Sequence, residues 1–367
     1  MQFFMPTELI TGEHCVVQNA QKLARFGQRC LIVTGGSAAE RSGALRDAEE
    51  ALRSQGIAFS RYSGIEPNPR LSSCQEGGRL AHEAGAAFIV GIGGGSPLDA
   101  AKAISVFAAN PGMTEAEFYS AKWPNPPLPI VLIGTTAGTG SEVTSVSVLT
   151  DSAGKKHSIH DRRVYAALAL GDARYTATLP RAATLSTGID ALCHCIESYF
   201  SKKADLFSRE FSVRGVRLGL PVVQHAASAP ADEMPTPQER ETLYQASILG
   251  GMAINPTGTV FPHNVGYYLT EHYGIPHGFA CAAFLPELLR HVREQAPVLA
   301  ERFYAESGTS EEALAELARK AVPVRGIRLS EDEIRAALPR WENNGTVRNT
   351  VGTVTAEQIA EMLRKEF

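Results

Sequence analysis

The chain has 367 residues, with 35 Lys and Arg against 39 Asp and Glu and a formal net charge of -4. That balance excludes a nucleic-acid binder that works through bulk positive charge. A hydrophobic content of 44% with 20% charged residues excludes intrinsic disorder, and the length suits about two domains. No apolar run approaches the roughly 18 residues of a membrane span. The opening MQFFMPTEL carries no secretory pattern. The six cysteines, at 15, 30, 74, 193, 195 and 281, form no C-x-x-C pair. Buried free thiols in a reducing compartment follow, so the expected location is the cytoplasm.

In chain order, short apolar runs alternate with helical patterns through the first half. Residues 30–34, 58–62, 87–92 and 129–133 read as strands. Helical spacing follows at 45–56, 71–84 and 100–107. This alternation predicts βαβ units and a parallel sheet. Two further strand-like runs span 145–150 and 165–170, and Pro180 marks a change. From Ala182 the periodicity turns helical, with Leu185, Ile189, Leu192 and Ile196 at spacings of three and four. More helices are read at 237–252, 263–273, 279–293, 311–322 and 356–367, with an exposed loop at 226–236. The predicted architecture is an α/β N-terminal nucleotide-binding domain, 1–180, and an all-α C-terminal domain, 181–367, for metal and substrate.

Three glycine clusters sit at strand ends. Gly93-Gly94-Gly95-Ser96-Pro97 follows a buried strand and opens a helix. Glycine there lets backbone N–H groups approach a pyrophosphate, and the helix N-terminus adds partial positive charge. The alternative is a tight turn that needs glycine for steric reasons. The usual dinucleotide fingerprint G-x-G-x-x-G is absent. Gly134-Thr135-Thr136-Ala137-Gly138-Thr139-Gly140-Ser141-Glu142 offers hydroxyls and backbone donors to ribose and phosphate oxygens, or caps a helix start. Gly35-Gly36-Ser37 ends an early strand, where NAD-selective sites place an acid for the ribose 2′-OH. Here there is no acid, and Ser37 with Arg41 suits a 2′-phosphate. NADP(H) is therefore expected over NAD(H).

A second constellation has the chemistry of a metal site. Asp190 and His194, four apart, share one face of a helical stretch flanked by the apolar Ile189, Leu192 and Ile196, so that face needs a reason to be polar. His263 follows Phe261-Pro262, and His277 stands in Pro276-His277-Gly278. One Asp and three His suit a divalent first-row ion, Fe²⁺ or Zn²⁺. Soft thiolate ligation is not needed, and Cys193 and Cys195 are expected in the core.

Together, GGGSPLDAAK, GTTAGTGSEVT, GIDALCHCIESY and PHG resemble the iron-containing, or group III, alcohol dehydrogenases. The resemblance runs from about residue 4 to 295 and implies several things at once. The fold would be the one shared with dehydroquinate synthase, with an active site between an α/β and a helical domain. The metal ligands would be Asp190, His194, His263 and His277. The pyrophosphate loop would be Gly94, Gly95 and Ser96, and the threonine loop Thr135, Thr136 and Thr139. Asn68 and Lys156 would also contact the cofactor, and Gly35 would stand at the NAD-selecting position. The implied reaction exchanges hydride between a nicotinamide and a small primary alcohol or aldehyde, and a homodimer is usual for the family. Two positions depart from the pattern. Tyr267 replaces a histidine often tied to proton transfer, and Val146 replaces an asparagine of the cofactor loop. Tyr267 is a candidate proton relay, or a core aromatic. His272 is read as a non-ligand. The rival readings are a sugar-phosphate cyclase of the dehydroquinate synthase type and a non-catalytic nucleotide-binding protein.

Overall fold

A computed structural model describes residues 3–230, 232–323 and 326–365. Eight strands are present among them: β1 Glu8–Thr11, β2 Arg29–Thr34, β3 Ala58–Tyr62, β4 Phe88–Gly93, β5 Ile130–Gly134, β6 Val146–Thr150, β7 Lys156–His160 and β8 Leu168–Gly171. Six form a parallel sheet in the order β1-β8-β5-β4-β2-β3. The other two, β6 and β7, pair antiparallel. β4 and β5 are buried along their whole length because apolar cores cover both faces of the sheet. Alternate side chains point to opposite faces. Leu31, Val33, Ile89 and Leu132 therefore pack with Ile104 and Phe107 on one side. Cys30, Ile32, Val90 and Ile133 pack with Leu45 and Leu52 on the other. Each such fully buried side chain contributes about 1.5–3 kcal/mol.

The chain divides into two units. The sheet unit takes Phe4–Thr136 and Gly140–Leu179. The helical unit runs from Pro180 onward and also includes Ala137–Thr139. Within the helical unit, Arg181–Tyr199, Leu206–Ser228 and Pro237–Thr257 pack on one another, followed by Phe261–Tyr273, His277–Ala282 and Leu285–Gln295. Among the described residues, no helix is long and apolar enough to cross a membrane.

Several boundaries differ from those read in the sequence. The helix after the glycine triplet starts at Gly95, not at residue 100, with Gly94 as its N-cap. Pro97 lies in its first turn, where a missing N–H leaves no bond unmade. Residues 279–293 form two helices, because Pro286 cannot continue the first past Ala282. The 226–236 loop is shorter, since Leu206–Ser228 continues past Pro221. Arg181 caps its end, donating to the carbonyls of Ala226 at 2.5 Å and Ala229 at 2.6 Å. Position 231 of that loop lies outside the described residues, as do positions 366 and 367 of the last helix, which spans Ala356–Leu363. β1 and β7 have no counterpart in the sequence reading. β1 is only four residues of a half-buried edge, and β7 is a mostly polar run, Lys-His-Ser-Ile-His.

Candidate functional site

In the sheet unit, the glycine and threonine clusters follow the carboxyl ends of three adjacent strands, β2, β4 and β5. Open α/β sheets bind ligands at that edge. The Thr135 N–H donates to the Gly93 carbonyl at 2.9 Å, which draws the threonine loop onto the glycine loop. Gly94, Gly95, Ser96 and Thr136 stay partly accessible, while Thr135 is buried. Asn68, in a left-handed conformation at φ 56°, donates its N–H to Ser96 Oγ at 3.3 Å. Its carbonyl accepts from Thr150 Oγ1 at 3.1 Å, and Thr150 pairs with Lys156 across the hairpin. Gly35 bridges Gly64, Gly36 is exposed, and Arg41 Nη1 donates to Ser37 Oγ. Thr139 lies in the segment that groups with the helical unit.

The motif around Gly95 also contributes a charge that the sequence reading passed over. Lys102 is fully buried. Its ammonium donates to the Ser141 carbonyl and hydroxyl, each at 2.8 Å, and to the Val146 carbonyl at 2.6 Å. Thr144 Oγ1 stands at 3.3 Å and Asp99 Oδ1 at 3.6 Å. Asp99 accepts from Ser141 Oγ at 2.6 Å and from the Val148 N–H at 2.9 Å. Burial pushes Asp99 up and Lys102 down, and each partly restores the charge of the other. The pair ties the segment after the threonine loop to the helix of the glycine loop.

In the helical unit, three elements deliver one aspartate and three histidines. Asp190 and His194 come from Arg181–Tyr199, His263 from Phe261–Tyr273, and His277 opens His277–Ala282. Asp190 Oδ1 is 3.4 Å from His263 Nε2, 3.8 Å from His277 Nε2 and 3.9 Å from His194 Nε2. Donors about 2.0–2.2 Å from one ion stand about 3–4 Å apart. Asp190 Oδ1 and His263 Nε2 are buried and make no hydrogen bond. Such atoms are expensive to leave unsatisfied, and a cation between them satisfies both. The donor set therefore fits a divalent ion.

Two glycines allow this approach. A Cβ on Gly278 would lie 1.9 Å from the Ser186 carbonyl oxygen, so the turn carrying His277 rests directly on the Asp190 helix. A Cβ on Gly266 would meet the Ala280 backbone at 2.9 Å, so the His263 helix and that turn are also in backbone contact. This explains the glycine of Pro276-His277-Gly278 as geometry.

The electrostatics follow from burial. Desolvation pushes the Asp190 carboxyl up, but the rings of His194, His277 and His263 outweigh it and hold it well below the usual range. Burial pushes His194 down to about 4, so it is neutral and suited to donate a lone pair. Two orienting contacts fix the rings. His263 Nδ1 is 2.5 Å from Glu197 Oε1, and His194 Nδ1 is 3.3 Å from the Gly138 carbonyl. Both contacts leave Nε2 facing Asp190. Glu197 is itself held by the Val260 N–H at 2.8 Å. Tyr267 stacks on His277, with centroids 5.1 Å apart and planes at 12°. His272 is exposed, 3.4 Å from Arg340 Nη1. Cys193 and Cys195 are buried, and Cys281 Sγ lies 3.7 Å from both ring nitrogens of His277.

Known proteins share this arrangement of sheet and helices. The family model described as iron-containing alcohol dehydrogenase matches residues 6–173. The model of the C-terminal part of the Fe-containing alcohol dehydrogenase family matches residues 184–323. The chain belongs to the iron-containing alcohol dehydrogenase family. It is 33% identical over 294 residues to 1,3-propanediol dehydrogenase of Klebsiella pneumoniae, covering 79% of this chain and 73% of that one. Sulfoacetaldehyde reductase of Bilophila wadsworthia is 35% identical over 283 residues, covering 76% and 72%. The crystal structure of an iron-containing alcohol dehydrogenase from Thermotoga maritima superposes with a TM-score of 0.91 at 31% identity, covering 99% and 98%. As a member of this family the chain is an oxidoreductase acting on an alcohol or aldehyde, and iron and a nicotinamide dinucleotide are the groups the family uses.

Proposed function

We propose that this dehydrogenase exchanges hydride between a nicotinamide dinucleotide and a small primary alcohol or its aldehyde. The supporting metal centre is Asp190, His194, His263 and His277 around Fe²⁺ or Zn²⁺. The observation that carries this reading is the convergence of three histidine nitrogens on one buried, ionised carboxylate oxygen. The named relatives act on 1,3-propanediol and sulfoacetaldehyde, both short oxygenated molecules, and this supports a short substrate.

When bound, a divalent ion supplies Lewis acidity toward the substrate oxygen, and the nicotinamide supplies or accepts the hydride. The chain's own residues prepare the site for both. Asp190 contributes the negative donor. Glu197 accepts from His263 Nδ1–H, which fixes the ring's tautomer and direction. The Gly138 carbonyl does the same for His194. Tyr267, stacked on His277, is the candidate proton carrier. Gly94, Gly95, Ser96, Thr135, Thr136 and Thr139 form the proposed phosphate and ribose contacts, with Asn68 and Lys156 beside them.

The reading is tested by reloading the metal-free protein with Fe²⁺ or Zn²⁺. A panel of short aldehydes is then followed by loss of reduced-nicotinamide absorbance. Turnover with at least one metal is expected, and none with any metal overturns it. Glu197→Gln is expected to lower Zn²⁺ affinity about 10–100-fold, read by titration against a competing chelator. Affinity equal to the wild type would remove Glu197 from its orienting role.

The cofactor is proposed to be NADP(H). The support is the absence of an acid at Gly35-Gly36-Ser37 and the Arg41 guanidinium held on Ser37 Oγ. A charge-assisted bond to a 2′-phosphate contributes about 1.5–3 kcal/mol, or about 10–100-fold. Arg41→Ala is expected to raise the KM for NADPH by that factor and leave NADH unchanged. Equal use of both nucleotides by the wild type, or equal effects on both, would reverse the assignment.

A further inference from the structure

The helix that carries His263 starts without a cap of its own. Its N-cap is Val260, whose apolar side chain accepts no hydrogen bond. His263 stands in the first turn, after Phe261 and Pro262. The first N–H groups of a helix have no partner within it, and Val260 and Phe261 are both buried. Pro262 has no N–H to satisfy. The Val260 N–H donates to Glu197 Oε2 at 2.8 Å. The Phe261 N–H donates to Thr350 Oγ1 at 3.3 Å, 89 positions along the chain. Thr350 is buried, and its neighbours fasten it to the end of the Asp190 helix. The Lys202 N–H donates to the Asn349 carbonyl at 2.7 Å, and the Val351 N–H to the Phe200 carbonyl at 3.0 Å. Asn349 Oδ1 accepts from Ser201 Oγ at 3.0 Å. The Asn349 amide donates to the carbonyls of Thr257 at 2.8 Å and Thr259 at 3.0 Å, in the connection that leads into the His263 helix. His291 Nε2 donates to the Val351 carbonyl at 2.9 Å. Residues 349–351 therefore form a strap. It ties the end of the helix bearing Asp190 and His194 to the start of the helix bearing His263.

We infer that the Asn349-Thr350-Val351 strap is a positioning element of the metal centre, with Thr350 capping the turn that aims His263. The inference rests on the proposed metal centre and deepens it. Helix ends fray, and a cap from a distant hydroxyl replaces the one that Val260 cannot supply. A ligand ring must be held to within about 0.5 Å of its working position. Glu197 sets the His263 ring, and Thr350 sets the backbone that carries it. The strap lies past residue 295, where the resemblance read in the sequence ends.

Zn²⁺ is the probe, its affinity read by competition with a chelator. The metal-free full-length protein is titrated as wild type, Thr350→Val, Thr350→Ser, Asn349→Ser and Ser310→Ala. Valine keeps the shape of threonine and removes the acceptor, so Thr350→Val is expected to weaken Zn²⁺ binding about tenfold. Thr350→Ser keeps the hydroxyl and should bind like the wild type. Asn349→Ser loses both amide donors and should also weaken binding, which keeps the test decisive if Thr350→Val does not fold. Ser310→Ala removes the cap of Glu311–Ala321, a helix that carries no proposed metal ligand. It should lower the urea midpoint as Thr350→Val does and leave Zn²⁺ affinity unchanged, which separates positioning from general stability. Wild-type affinity in Thr350→Val, or in Asn349→Ser where only that variant folds, would overturn the strap's role and leave the metal centre standing. An equal loss in Ser310→Ala or in Thr350→Ser would also overturn it. Failure of the wild type to bind Zn²⁺ at all would overturn both the inference and the metal centre beneath it.

Discussion

Asp190→Asn is expected to abolish metal retention and to lower turnover by at least about 10³-fold. Asparagine preserves the shape of the side chain, so the change isolates its charge. All three histidine nitrogens converge on Asp190 Oδ1, and the carboxyl is held ionised in a buried site. Without that charge a divalent ion keeps only neutral rings around it. Lewis acidity supplies several kcal/mol of transition-state stabilisation, and each 1.36 kcal/mol is tenfold in rate. Metal content after dialysis and kcat measure the two effects. Nucleotide affinity, read by fluorescence, should change little, because the glycine loop and Thr135–Thr136 belong to the sheet unit. A variant that kept stoichiometric metal and wild-type turnover would remove Asp190 from the centre. His277→Ala is expected to follow the same pattern.

Lys102→Met is expected to destabilise the sheet unit by about 3–5 kcal/mol, the usual result of removing one partner from a buried ion pair. Four acceptors lose their donor at once: the Ser141 carbonyl, its hydroxyl, the Thr144 hydroxyl and the Val146 carbonyl. Asp99 is left with a hydroxyl and one N–H against its charge. Urea unfolding followed by circular dichroism measures the loss. The double variant Asp99→Asn with Lys102→Met separates pairing from packing. Asparagine leaves no uncompensated charge, so the double change should cost less than the sum of the two single ones. Strict additivity would show that the two side chains do not act as a pair. The same variants should weaken nucleotide binding, since the braced segment continues the threonine loop.

The sequence was most informative where a feature is local. Glycines at strand ends, buried apolar runs and the i, i+4 pair Asp190–His194 are all visible within about ten residues of chain. Glu197 was in view as part of the Asp190 helix, but its role depends on His263, 66 positions away. Nothing in the spacing announces that contact. Lys102 is harder still, because lysine ordinarily marks a surface, and only the fold supplies the oxygens that allow its burial. The approach of His277 to Asp190 depends on the close packing at Gly278 and Gly266, which no local spacing announces. The four-residue β1 and the polar β7 carry too few apolar residues to register as strands.

The backbone contact at Gly278 has a consequence for how fast an ion can come and go. The segment bearing His277 lies against the backbone of the Asp190 helix at Gly278, and the Glu197 and Gly138 contacts hold the other two rings. The donors are thus preorganised, and an arriving ion has little conformational entropy left to remove. Affinity gained in this way is expressed mainly as a slow departure. The centre should therefore exchange its ion with free chelator much more slowly than a site built on loops. A residue with no side chain would in that sense govern the lifetime of the metal.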